Sequence, residues 1–186
     1  MKSEKFYYGL ATVILMIVLG STSGIVAQKG AEIDKKADAA YATLLAGSPA
    51  ATRISKESKA VLVFPSIKKA GFMIGGQYGE GSLRSSGKTM GYYKTTAASF
   101  GLQAGGQKFG YAMFFMKPTA LEYLKKSEGW EVGVGPSLVV VDKGKATSMT
   151  TSTLQDDIYV FFFDQKGLMG GLGIQGSKIS QITPDK

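Results

Sequence analysis

The stretch Lys59 to Gly81, KAVLVFPSIKKAGFMIGGQYGEG, constrains the fold of this chain more than any other. An apolar run of strand character ends at Phe64-Pro65, a Lys68-Lys69 pair follows, and then glycines alternate with bulky apolar residues. Glycine inside a strand sacrifices side-chain packing and chain entropy. Where it persists it marks a bulge, a sharp bend or a close backbone approach. The same habit returns in SFGLQAGGQKFGYAMFF (99–115) and KGLMGGLGIQG (166–176). Strands interrupted this often predict a sheet that curves strongly.

Periodicity supplies the remaining elements. Ile33, Ala37, Ala40, Tyr41, Leu44 and Leu45 recur at three-to-four spacing, which predicts a helix over 31–46 with Gly47 just beyond its end. Ser48-Pro49 reads as an N-cap with proline at the first helical position, opening a short helix to about Ser58. A later helix is expected over 118–126, with Leu121 and Leu124 inward. Strands are expected over 60–64, 71–78, 90–100, 102–108, 110–116, 130–135, 138–142, 158–163 and 168–175, and an exposed loop over 145–155. The expected fold class is α+β. It is a single β-rich domain with a strongly curved, barrel-like, mainly antiparallel sheet, helices at its N-terminal side and one short later helix.

Residues 1–27 read as a leader. Lys2 and Lys5 precede the apolar run Leu10 to Leu19, and small residues follow up to Ala27. This is the tripartite pattern of a secretory signal peptide, with Ala27 the preferred last residue and Gly24 the alternative. The competing reading is an uncleaved anchor, because Phe6 to Ala27 carries no charge and 22 residues are long enough to span a bilayer. The expectation is an exported domain over 28–186, periplasmic or associated with the cell envelope.

The chain has no Cys and no His, so disulfides, thiolate metal sites, cysteine nucleophiles and histidine-based triads are all excluded. Its formal charge of +8 is unevenly spread. Residues 35–108 hold eleven basic and three acidic groups, whereas 109–186 hold eight of each. Such asymmetry favours an anionic partner.

Two nucleotide motifs fail on inspection. GSLRSSGKT (81–89) has one residue too many between its glycines for a P-loop, and a strand-like segment follows where a helix is required. Lys88 there reads as a hairpin-turn cation. GLGIQG (171–176) matches the dinucleotide fingerprint only formally, since ten residues remain after it. The acidic residues Glu128, Glu131, Asp142, Asp156, Asp157 and Asp164 are the remaining acid–base candidates, but most of them sit at strand edges, where carboxylates commonly serve turns. Nucleic acid is disfavoured by the two arginines, a poor supply of bidentate contacts. No cofactor and no metal are expected.

SKAVLVFPSIKKAGFMIGGQYGEG resembles the conserved run of the SYLF family of lipid-binding domains, departing at Ala60, where that family often has glycine. The resemblance continues through ASFGLQAGGQKFGYAMFFM (98–116), EVGVGPSLV (131–139) and DIYVFFFDQKGLMGGLGIQGSKI (157–179), and covers about 35–182. It implies a compact β-rich domain without catalytic activity that associates with membranes. The expected function is binding of anionic phospholipid membranes through a basic face made of Arg53, Lys56, Lys59, Lys68 and Lys69, each cation near an acidic bilayer adding about 1 kcal/mol. Phe64 or Phe72 would supply an apolar wedge, though burial in the core is the commoner fate of such residues. The alternative expectation is an interaction or envelope-structural module binding an acidic protein or polysaccharide.

Overall fold

The computed structural model describes residues 29–141, 154–167 and 174–184, together with the backbone but not the side chains of 72–74 and 99–104. The leader expected over 1–27 and most of the loop expected over 145–155 lie outside the described residues. Among those described, no helix is long and apolar enough to cross a membrane.

Helix α1 covers residues 29–47, and α2 follows at Pro49–Glu57. The break between them is chemical: Ser48 is extended, its Oγ accepts a hydrogen bond from the Ala51 amide at 3.2 Å, and Pro49 opens the second helix. The α1 stripe is buried as its spacing predicts, with Ile33, Ala37, Ala40 and Leu44 all inward.

β1 (Ala60–Ser85) and β2 (Lys88–Phe115) form one very long antiparallel hairpin, where the sequence predicts five shorter strands. The backbone stays paired through residues that usually break strands, and the irregularities become register shifts between Phe64 and Ile67 and between Phe72 and Ile74. Pro65 is tolerated because, among the described residues, β1 pairs only with β2, so its missing N–H costs no ladder bond on the other edge. The hairpin turn is Ser86-Gly87, both at positive φ (50° and 76°), as a two-residue primed turn requires. The P-loop-like segment is therefore a hairpin tip.

The other edge of β2 is shared. β6 (Lys178–Ile182) pairs with its first half, and β5 (Ile158–Gly167) with its second. β3 (Trp130–Glu131) adds to β6, and β4 (Leu138–Val140) runs parallel to β5. Helix α3 (Pro118–Lys126) connects the hairpin to β3, with Leu124 buried and Leu121 packed against the core. The result is a curled, half-barrel sheet of mainly antiparallel strands with helices on its N-terminal side and one later short helix, the expected class.

The curl brings the two halves of β1 against each other. A Cβ on Gly81 would strike the Val63 carbonyl, with the Phe64 ring 2.8 Å away, and one on Gly79 would meet the Ser66 carbonyl at 2.9 Å. These two glycines exist for close approach. Inside the curl lies one apolar cluster, including Leu62, Phe64, Ile67, Tyr111, Met113, Trp130, Ile158 and Ile179. A second cluster lies on the outer face, where α1 and α2 cover Val61, Val63, Ala112, Phe114, Tyr159 and Phe161.

One local expectation is corrected, and one strand lies where none was expected. The strand expected over 130–135 stops at Glu131, because Gly133 and Gly135 take φ values of 108° and 89°, outside extended backbone. The strand Lys178–Ile182 was not expected, and the one expected over 168–175 falls mostly outside the described set. Ile174 to Gly176 enters a turn, and 168–173 lie outside the described residues. The sequence KISQI hides this strand because only Ile179 is buried.

Candidate functional site

The five cations expected to form one basic face fall into two groups. Arg53 and Lys56 lie exposed on α2, and Lys59 is exposed at the step into β1. Lys59 also lines a shallow groove of about 330 Å³ with Ser55, Arg84 and Ser86. Lys68 and Lys69 lie further along β1, past the register shift between Phe64 and Ile67. Lys68 is exposed, and Lys69 is half-buried because adjacent strand positions face opposite sides. Lys59 and Lys68 thus line different grooves of the fold.

Ion pairing sorts the cations further. Arg84 is held by Asp38, Lys36 by Glu32 at 2.6 Å, Lys29 by Glu80 at 3.7 Å and Lys117 by Asp157 at 2.7 Å. Among the described residues, none of Lys56, Lys59, Lys68 and Lys69 has an acidic partner within the 4.0 Å of a salt bridge.

The strand ladder adds two residues that sequence reasoning missed. Lys68 stands opposite Lys108 on β2, and Lys108 stands opposite Lys166 on β5. Directly opposed residues share a face, so the three lysines form one row across three strands. All three are exposed, while the preceding opposed pair, Ile67 and Phe109, is buried in the concave core. A signal was present in the sequence: Gln107-Lys108 and Gln165-Lys166 are the same dipeptide, each next to an expected strand end. Only pairing could show that they meet.

This row continues the outer face that α1 and α2 cover elsewhere. Phe163 marks the boundary, its ring lying over the space where Gly110 has no side chain. The groove beside Lys68 is lined by Ile33, Lys36, Pro65, Tyr78 and Glu80. Its acid is already engaged, since the Tyr78 hydroxyl donates to Glu80 Oε1 at 2.5 Å. Partial burial and that carboxylate push the Tyr78 pKa up to about 12, so its hydroxyl remains a donor at neutral pH.

The aromatic wedge finds no support at Phe64. That ring is fully buried, 4.9 Å from the Tyr111 ring centroid. Phe72 is one of the side chains outside the described set.

Two of the acidic candidates, Asp156 and Asp157, take part in structural contacts. Asp157 accepts from the Ser137 amide at 2.8 Å and pairs with Lys117, which ties the start of α3, the approach to β4 and the start of β5 together. Lys117, followed by the Ser137 amide, holds the Asp157 carboxyl below its ordinary pKa. Asp156 lies beside the Tyr159 hydroxyl, at 3.5 Å. Asp142 lies outside the described residues. Among the described residues, no group of three His, Cys, Asp or Glu side chains is placed to hold a metal ion.

The site as described is a curled sheet with helices on one face and exposed lysines that no acid of the described residues neutralises. Residues 96–184, from within β2 to beyond the end of β6, match the family described as Ysc84, Las17-binding protein actin regulator, consistent with the resemblance to the SYLF family. The family is one of lipid- and actin-binding regulator domains. Lys108 and Lys166 fall within the matched region, whereas Arg53, Lys56, Lys59, Lys68 and Lys69 precede it. No curated protein matches the chain.

Proposed function

We propose that this domain is a non-enzymatic module that binds anionic phospholipid membranes through its exposed lysines, in an exported setting at the cell envelope. The observation that carries the reading is the sorting of charge. Arg84, Lys36, Lys29 and Lys117 are neutralised by acids of the fold, while Lys56, Lys59, Lys68 and Lys69 have no acidic partner among the described residues. Charge that the fold leaves unbalanced is available to a partner, and near an acidic bilayer each such cation adds about 1 kcal/mol, diminished by salt.

Co-sedimentation with vesicles tests this. Binding should rise with the fraction of acidic lipid and fall with added salt. Equal binding to neutral and acidic vesicles at all salt concentrations would overturn it. Replacing Lys68 and Lys69 by Glu should weaken binding while leaving the circular dichroism spectrum intact.

A second reading rests on the matched family, whose description names a protein partner. On that reading the basic surface meets an acidic protein or polysaccharide. Affinity purification from native envelopes that yields a stoichiometric partner, with no response to lipid, would favour it over the first.

A further inference from the structure

Where α1 and α2 pack over β1, β2 and β5 the outer face of the sheet is apolar, and beyond Phe163 it carries exposed lysine. Val61, Val63, Ala112, Phe114, Tyr159 and Phe161 are covered, and the next outward row beyond Phe163 is Lys68, Lys108 and Lys166. An uncovered row must be polar, but nothing about solvation requires three like charges side by side. Neighbouring strands lie about 4.8 Å apart, so the row holds its ammonium groups within a screening length of one another. Like charges directly opposed across a ladder are destabilising. A mixed row of Lys and Glu would satisfy solvation and also remove the repulsion.

The surrounding acids do not offset the row. Glu80 is held by Tyr78 and Lys29, and Glu32 by Lys36. Asp164 stands two residues before Lys166 on β5 at a positive φ of 52°, and among the described residues it forms no ion pair with any of the three.

The position of the row matters as much as its charge. Immediately beyond it β1 and β2 run into the bend of the hairpin, with Gly71 opposite Gly105 and Ile74 opposite Phe100. The sequence there is apolar and glycine-rich: Gly71-Phe72-Met73-Ile74 on one strand and Phe100-Gly101-Leu102 on the other. In sequence, then, Lys68 and Lys108 lie beside apolar, glycine-rich stretches, a composition suited to a bilayer surface.

We infer that Lys68, Lys108 and Lys166 form the surface on which this domain docks to an anionic phospholipid membrane, with the bend of the β1–β2 hairpin turned toward the bilayer. The inference rests on the lipid-binding reading and narrows it to one pole. The α2 cluster of Arg53, Lys56 and Lys59 then points elsewhere and contributes little.

The test uses the full chain and two triple variants, K68Q/K108Q/K166Q and R53Q/K56Q/K59Q. Each is measured on phosphatidylcholine vesicles and on vesicles that also contain phosphatidylglycerol. The quantity read is the gain in binding that phosphatidylglycerol gives, which removes any charge-independent contribution of the apolar residues 10–19. The row variant should lose about a hundredfold of that gain, about fivefold per lysine, and the α2 variant should stay within a few-fold of the unmodified chain. An unmodified chain that gains nothing from phosphatidylglycerol overturns the lipid-binding reading and the docking row together. A clear gain that the row variant keeps, or that the α2 variant loses more strongly, overturns the docking row alone. Lys108→Glu guards against misfolding as the cause. It should lose binding while its melting temperature stays the same or rises, because it places opposite charges side by side in the row.

Discussion

The outer face of the sheet reads in two ways along the same three strands. At the end near α1 and α2 it carries Phe114, Tyr159 and Phe161, and at the other end Lys68, Lys108 and Lys166. Strand propensity cannot account for the difference, because β1, β2 and β5 run through both ends. Cover accounts for it. Where helices exclude water, burial of aromatic surface stabilises the fold, and where the face is exposed at the lysine row it is left to charge.

The sharpest way to break this comparison is at the covered end. Phe114 packs edge-on to Phe161, with ring centroids 5.5 Å apart, and is fully buried. Phe114→Ala should cost about 3–5 kcal/mol in denaturant unfolding, the range for large core truncations. A cost near that of a surface substitution would mean the helices do not seal this face.

The open end exists because the hairpin folds over itself, and Gly81 sits at the crossing. Gly81→Ala should cost about 1–3 kcal/mol, since its Cβ meets the Val63 carbonyl and the Phe64 ring. An unchanged stability would show that the crossing is looser than the structure has it. A milder test acts on the cover itself. Ser48→Ala removes the cap of α2 and should cost about 1 kcal/mol without changing the lipid response.

β5 carries both ends, and Asp157 anchors its start. The carboxyl pKa is lowered in the folded state, so its contribution is present above the unfolded value of about 3.9 and is lost as the pH falls through the folded one. Asp157→Asn should therefore lower stability at neutral pH and flatten the loss below about pH 4, measured by thermal melts across the acid range. The smallest expected change is at the open end. Lys108→Glu should leave stability unchanged or slightly higher, in contrast to every substitution at the covered end.

Much of the fold was legible. The α1 stripe, the Ser48-Pro49 boundary, α3 and the glycine-driven curvature follow from spacing and cap chemistry, which are local properties. The junction of the two halves of β1 was legible only in outline: the glycines announced close approach but not what they approach. Trp130 to Gly135 misled because its alternation looked extended, while Gly133 and Gly135 turn the chain. Lys178–Ile182 was missed because a strand held mainly by pairing to β2 needs little apolar sequence.

The candidate site divides in the same way. The sequence alone determined that no cysteine or histidine chemistry operates here, that residues 35–108 hold the excess positive charge, and that Lys68-Lys69 lies beside a glycine-rich bend. It could not show that Arg84 is spent on Asp38, or that Lys166 joins the row from a half of the chain with no net charge. Those facts depend on which strands pair and in what register. Register is set by the fit of the whole curled sheet around its two cores, so only the tertiary structure decides which lysines become neighbours.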